Sequence, residues 1–371
     1  MSKHIHIISF DIPYPANYGG VIDVFYKIKA LHKAGFQISL HCYQYGRTES
    51  EELSKYCKEV FYYPRSAGRR HLFVRKPYIV ASRHSDQLIE RLLKDRSPIL
   101  FEGLHCSSFL DTKALENRFK VLRAHNIEHD YYESLAAVEN NIFKRYYFYN
   151  EASKLKKQEK VLKKADNVLA ISPKDHQYFL KKYKNSIFVP AFHAYEEVRI
   201  KPGKGDFILY HGNLAVGENN EAAMFLATKV FPKLKHKCVI AGTKPSQELR
   251  LAAEQSKNIE LRSQVSTQEI HELIENAQIN ILPTFQSTGI KLKLLAALYV
   301  GRHCLVNLPM VEKTGLESLC HKAEDATSFI KLSNKLMQQE FSDAEVALRK
   351  ELLSSSYSNE ESVKSLIQLF A

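Results

Sequence analysis

The feature that most constrains this chain is an alternation that occurs twice. Short apolar runs rich in Ile, Val, Leu and Phe alternate with segments of helical period, first up to about residue 190 and again from residue 206. In the first half, "HIHIISF", "QISLHCY", "PILFEGL", "FKVLRAH" and "NVLAIS" predict buried strands, because continuous aliphatic runs suit strands covered on both faces. Between the first two, "VIDVFYKIKALHKAGF" sets Val24, Ile28 and Leu31 at helical spacing, with Gly35 where a C-terminal cap belongs. Such alternation closes into a parallel sheet with helices on both faces.

The stretch "PAFHAYEEVRIKPGKGD" then breaks the pattern with two prolines and two glycines and reads as a linker. The alternation restarts with the strands "FILYHGNL", "KCVIAG", "NIELRS", "INILPT" and "HCLVN". Helical stretches separate them, and in one, "STQEIHELIENA", Ser266 followed by Glu269 predicts a capping box. The expected architecture is α/β, with two doubly wound Rossmann-like domains over 1–190 and 206–345 joined by a linker over 191–205. A helical segment over 346–371 is expected to pack back on the N-terminal domain. Ligands of such sheets bind beyond the C-terminal ends of the strands, here in a central cleft that the two domains face.

Composition narrows the classes. A chain of 371 residues with 44% hydrophobic and 25% charged residues is ordinary for a globular protein. No run of 18 apolar residues is present, and the N-terminus lacks the apolar core of a signal peptide. The six cysteines are scattered without a C-x-x-C pair, which fits a reducing cytoplasm and buried thiols. The net charge of +12 calls for an anionic partner, yet no zinc-finger spacing, RNP-like strand or helix-turn-helix points to nucleic acid. Much of the charge lies in "IFKRYYFYNEASKLKKQEKVLKK", residues 142–164. That stretch reads either as an interfacial helix on anionic lipid or as a surface helix with Phe148, Leu155 and Leu162 turned inward. On lipid each basic residue would add roughly 1 kcal/mol.

A second placement needs explaining. "FQSTGIKLKLLAAL", residues 285–298, sets Lys291 and Lys293 at the start of a helix, where the macrodipole is already positive. A phosphate held by the free backbone N–H groups there would reconcile the two.

Five segments, in order, carry a family resemblance: "YPANYGG", "VLRAHNIEH", "ADNVLAIS", "LYHGNL" and "GIKLKLLAALYVGRHCLVN". Together they resemble group-1 glycosyltransferases of the retaining, two-Rossmann-domain type called GT-B. The resemblance implies a nucleoside diphosphate sugar as donor and a hydroxyl acceptor on a glycan or lipid-linked saccharide, in cell-surface polysaccharide synthesis. It implies no cofactor beyond the donor, no catalytic metal and no protein nucleophile. Gly19 and Gly20 stand where a glycine-rich turn lets backbone approach the donor, with Asp23 just inside the following helix on the acceptor side. His125 is implied beside the donor sugar. Arg123 would meet a phosphate or acceptor anion in the polar cluster "RAHNIEHDYY", and Glu102 and His105 are acceptor-side candidates.

In the second half, Gly212 and Asn213 stand where the diphosphate would approach, with Lys244 as a further cation. Ser287, Thr288, Gly289 and Ile290 would hold the phosphate with Lys291. Two departures from the family pattern matter. An arginine and a lysine that commonly clamp the diphosphate are replaced by Asn213 and, near the lysine position, Glu218. Two glutamates seven residues apart are replaced by Thr288 and Ala296, and alanine offers a buried ribose hydroxyl no acceptor. A degenerate GT-B binding or scaffold protein is therefore an alternative, as is a nucleotide-sugar epimerase. The expected location is cytoplasmic, with peripheral contact at the inner face of the membrane through 142–164.

Overall fold

The structure, a computed structural model, describes residues 3–139, 141–285 and 291–370. The chain divides into two compact units, Met1–Ala194 with Asn359–Ala371, and Tyr195–Ser358.

In the first unit the strands are β1 (Lys3–Ser9), β2 (Phe36–Gln44), β3 (Glu59–Pro64), β4 (Ile99–Glu102), β5 (Lys120–Ala124), β6 (Asn167–Ala170) and β7 (Ser186–Phe188). They form one sheet in the order β3-β2-β1-β4-β5-β6-β7, every pairing parallel. The central strand β1 buries Ile5, Ile7 and Ile8 completely, as a strand covered on both faces must. All five strands read from the sequence are present. The two it did not give are the outer ones: β3 is mostly half-exposed, so it lacks a continuous apolar run, and β7 has three residues.

Helices cover this sheet: α1 (Gly19–Lys33), the short α2 (Tyr78–Ala81), α3 (Asp86–Leu92), α4 (Glu128–Val138), α5 (Ile142–Gln158) and α6 (Pro173–Tyr183). The first ends as its sequence predicts, with Gly35 at φ +84° just past the last turn, where a residue without Cβ is favoured. Helix α5 starts at Asn141, whose side chain accepts from the N–H groups of Phe143 and Lys144. It buries Leu155, and Leu162 is buried in the turn beyond.

The second unit repeats the plan with β8 (Phe207–His211), β9 (Lys237–Ala241), β10 (Ile259–Arg262), β11 (Ile279–Leu282), β12 (His303–Val306) and β13 (His321–Lys322). Their order is β10-β9-β8-β11-β12-β13, again all parallel. Its helices are α7 (Gly217–Phe225), α8 (Gln247–Glu254), α9 (Thr267–Asn276), α10 (Leu292–Val300), α11 (Leu308–Val311), α12 (Ala326–Leu336) and α13 (Asp343–Ser356). The capping box at Ser266 and Glu269 is present. On α13, the fully covered Arg349 guanidinium donates to the carbonyls of Gly301 and Arg302, 2.6 Å each, tying that helix to the second unit.

The last helix, α14 (Asn359–Phe370), belongs to the first unit, where Phe370 meets the rings of Phe36 and Phe119. The 346–371 segment is thus shared between the units. Residues read as linker are also held: the Arg199 N–H donates to the Tyr299 carbonyl, and Gly203 bridges Phe341. All six cysteines are free thiols, and no helix among the described residues is long and apolar enough to cross a membrane.

Candidate functional site

A parallel sheet gathers the loops that follow its strands along one edge, so each unit has one edge where a ligand site is expected. At that edge of the first unit the sequence has buried a network of charge. The Lys27 ammonium, one turn after Asp23 on α1, donates to Asp23 at 2.8 Å and to both oxygens of Glu102 at 2.7 and 2.9 Å. Arg123 on β5 makes a two-point contact with Asp23 at 2.9 and 3.1 Å. It also donates to the carbonyls of Val189 and Pro190, and the Phe192 N–H donates to Asp23. His125 completes the set, its Nε2 3.1 Å from Glu102.

Burial alone would raise both carboxyls. The Arg123 and Lys27 charges hold Asp23 far below the usual range, and Lys27 and His125 hold Glu102 below it. Asp23, Glu102 and His125 also have the spacing of a metal-ligand set, but the Lys27 ammonium already stands between the two carboxylates.

This geometry changes the expected roles. Arg123 has no exposed surface, and its guanidinium is committed to Asp23 and two carbonyls, so it positions β5 and the chain at 189–192 and does not face a ligand. Asp23 and Glu102 are equally enclosed. His125 is different: with Nε2–H given to Glu102, its Nδ1 is the ring position without a partner among the described residues. Phe10, just past β1, packs against both His125 and His105, with ring centroids 5.5 and 5.3 Å away. His105 lies beside Glu128, Nδ1 to Oε1 3.9 Å, and burial lowers the imidazole while raising Glu128 to about 8.

The glycines also need correcting. Gly19 and Gly20 are the first two residues of α1 and not a loop, and neither has a positive φ. A Cβ on Gly20 would lie 2.6 Å from the Phe10 ring, so this glycine serves packing, whereas Gly19 faces open space. Gly103, unnoticed in the sequence, takes φ +75° at the end of β4, and a side chain there would also press on His105.

At the corresponding edge of the second unit, the turns after β8 and β9 touch so closely that a Cβ on Gly242 would overlap the Gly212 carbonyl oxygen. Gly212 itself packs on Asn219, whose side chain donates to the Asn213 carbonyl. Both helix-start lysines reach this place. Lys291 stands immediately before α10, its ammonium 2.9 Å from Glu218 on α7. Lys293, in the first turn, donates to Asn219 at 2.9 Å and lies over the Tyr210 ring. Loss of hydration pulls Lys293 down to about 8, with the Lys291 charge adding to the effect and Glu218 opposing it. The carboxylate at the position read as a departure is therefore the counter-ion of Lys291.

His211, at the end of β8, is buried and held neutral down to about 3 by burial and the nearby Lys293. Further along the edge, Thr243, Lys244, Arg250, Gln264, Val265 and Ser266 help line a cavity of about 580 Å³. Ser287, Thr288, Gly289 and Ile290 lie outside the described residues. Ala296 is buried in α10.

Comparison with known proteins adds the following. No protein-family model matches the chain. A Klebsiella pneumoniae protein, described as an uncharacterised 44.6 kDa protein in a cps region, is 28% identical over 316 residues, covering 80% of this chain and 81% of that protein. Among solved structures, a glycosyltransferase from Rickettsia africae is similar with a TM-score of 0.66 at 14% identity, over 100% of this chain and 98% of that one. The S. aureus protein TarM, solved with Fondaparinux, alpha-GlcNAc-glycerol and UDP, matches with a TM-score of 0.64 at 12% identity and full coverage of both chains. The lipopolysaccharide outer core galactosyltransferase WaaB matches at 0.64 and 13%, over 98% and 99%. The chain has the GT-B fold.

Proposed function

We propose that this chain is a glycosyltransferase, moving a sugar from a nucleoside diphosphate sugar to a hydroxyl of a glycan or lipid-linked saccharide. The observation that carries the reading is the pair Lys291 and Lys293 at the start of α10, beside the side-chain-free turns at Gly212 and Gly242. Two cations at a helix start suit a diphosphate. In the transfer, the bond from the anomeric carbon to the diphosphate oxygen breaks and the diphosphate takes the electron pair. A bond from that carbon to the acceptor oxygen forms, and the hydroxyl proton passes to the departing diphosphate. The two lysines and the helix dipole stabilise charge that grows on the leaving group. The diphosphate competes with Glu218 for Lys291.

The cavity near Lys244 falls within the volume range of small-molecule sites and would take the nucleoside. His125 offers Nδ1 to a sugar or acceptor hydroxyl while Glu102 holds its ring. The reading further takes the transfer to retain anomeric configuration, to use no metal and to occur in the cytoplasm. The cps-region relative supports a role in cell-surface polysaccharide synthesis. The exposed Ile142, Phe143 and Tyr146 beside Lys144 and Arg145 support peripheral contact with an anionic membrane.

The test is incubation with a panel of nucleotide sugars, with and without a chelator. Release of nucleoside diphosphate supports the reading, and the anomeric proton of the product reports stereochemistry. A second reading, a degenerate GT-B binding protein, is favoured by the Glu218–Lys291 pair and by the buried Ala296. It predicts no diphosphate release from any donor.

A further inference from the structure

At the edge of the first sheet, two arginines form no ion pair among the described residues. Arg65 directly follows β3, and Arg83 follows α2 on the crossover from β3 to β4. Arg83 is 5% exposed; its Nε donates to the Phe10 carbonyl and its Nη1 to the Ile79 carbonyl, 2.8 Å each. Arg65 donates from Nε to the Ser82 hydroxyl at 2.9 Å and lies over the Tyr45 ring at 4.4 Å. Arg65 thus bonds the residue directly before Arg83, and its charge is felt at the Arg83 guanidinium. Among the described residues neither forms an ion pair, and Nη2 of Arg83 and both terminal nitrogens of Arg65 have no hydrogen-bond partner.

Carbonyl oxygens satisfy N–H donors but do not cancel a charge, and a covered guanidinium without a counter-ion is costly. The neighbouring acids do not pair with the two arginines. Asp11, whose carboxylate accepts from the Tyr18 hydroxyl and the Ile12 N–H, offsets part of the Arg83 charge but makes no hydrogen bond or ion pair with it. Glu128 is enclosed, its Oε1 without a partner, and burial keeps it largely protonated at neutral pH. Burial first, then the Arg65 charge, pulls Arg83 down to about 10, so the two cations already work against each other.

We propose that Arg83 and Arg65 form a subsite for an oxyanion, a phosphate or carboxylate group carried by the sugar acceptor. It rests on reading the first unit as the acceptor side of a glycosyl transfer. The ligand class follows from the donors: a planar guanidinium presents paired N–H groups that match two oxygens of a carboxylate or phosphate, and two such forks favour an anion over a neutral hydroxyl. Arg83 holds the Phe10 carbonyl and the Phe10 ring packs on His125, so the anion would be held near the group proposed to meet the reacting hydroxyl.

The test is calorimetric binding of glucose, glucuronate and glucose 6-phosphate to the full chain at low and high salt. It is repeated with Arg65→Gln, which removes the charge at a partly exposed position, and with Arg83→Lys, which keeps the charge and loses the fork. Urea unfolding checks that each variant folds. The expected result is salt-dependent binding of at least one anionic sugar, no comparable binding of glucose, and weakening on the order of tenfold in Arg65→Gln. The stronger of the two anionic probes identifies the group as carboxylate or phosphate. Equal binding of glucose and the anionic sugars, no binding of either anion, or anion binding unchanged in both variants would overturn the proposal. Stabilisation by a nucleoside diphosphate, which concerns the second unit, is read separately in each protein.

Discussion

Asp23, Lys27, Glu102 and Arg123 share two positive and two negative charges with almost no water. Removing one member strands the others, which typically costs about 3–5 kcal/mol. Lys27→Met is therefore expected to lower the urea midpoint strongly, and a variant as stable as the parent would contradict the network. The sequence showed that polar groups cluster after β5, but it could not show that Arg123 turns inward, because its partner Asp23 lies 100 residues away. Lys27 escaped notice for the same reason: on α1 it looks like an ordinary surface lysine until Glu102 arrives from β4. The paired glycines make a sharper comparison. Gly20→Ala should reduce thermal stability through the Phe10 ring, while Gly19→Ala, with nothing within 4 Å, should leave stability nearly unchanged. If Gly19 lets a donor approach, its variant loses transfer activity without losing stability; equal thermal losses in the two variants would refute the distinction.

Single elements show where sequence pattern succeeds and where it stops. The lysines before and within α10 stood out because their charge opposes the helix dipole, a purely local argument. Their partners are not local: Glu218 and Asn219 come from α7, more than seventy residues earlier. Helix α5 was legible as basic and aromatic, and its inward Leu155 follows from spacing. Which aromatics stay outside depends on what α5 packs against: Phe143 is 82% exposed and Tyr146 74%. If this face meets lipid, the double variant Phe143→Ser, Tyr146→Ser should sediment less with anionic vesicles than the parent, at unchanged melting temperature. No binding of the parent to such vesicles would end that reading.

At the scale of the whole molecule, both sheets were legible because strands buried on two faces leave long apolar runs. The outer strands β3, β7 and β13, short or half-exposed, leave none. Buried titratable groups in both units set the response to pH. His6 and His41 in the first unit are lowered by burial, as are His211, to about 3, and His321, to about 4, in the second. Their folded values lie below the unfolded value of roughly 6.5. The stability they contribute is thus full above that pH and is lost as pH falls toward about 4 and below. Glu128 acts in the opposite sense. Its folded value of about 8 lies above the unfolded 4.5, so its contribution is full below 4.5 and is lost as pH rises through about 8. Urea midpoints across this range should fall on both sides, and Glu128→Gln should flatten the alkaline side only; an unchanged alkaline slope would contradict the assignment.

Under the proposed function, the β8, β9 and α10 edge of the second unit holds a nucleoside diphosphate through Lys291 and Lys293. The decisive experiment is thermal unfolding of the full chain against a panel of nucleoside diphosphates, repeated with Lys291→Ala and Lys293→Ala. At least one diphosphate is expected to raise the melting temperature by several degrees, and each variant to lose most of the shift. A panel without effect, or a shift of the same size in both variants, would contradict it.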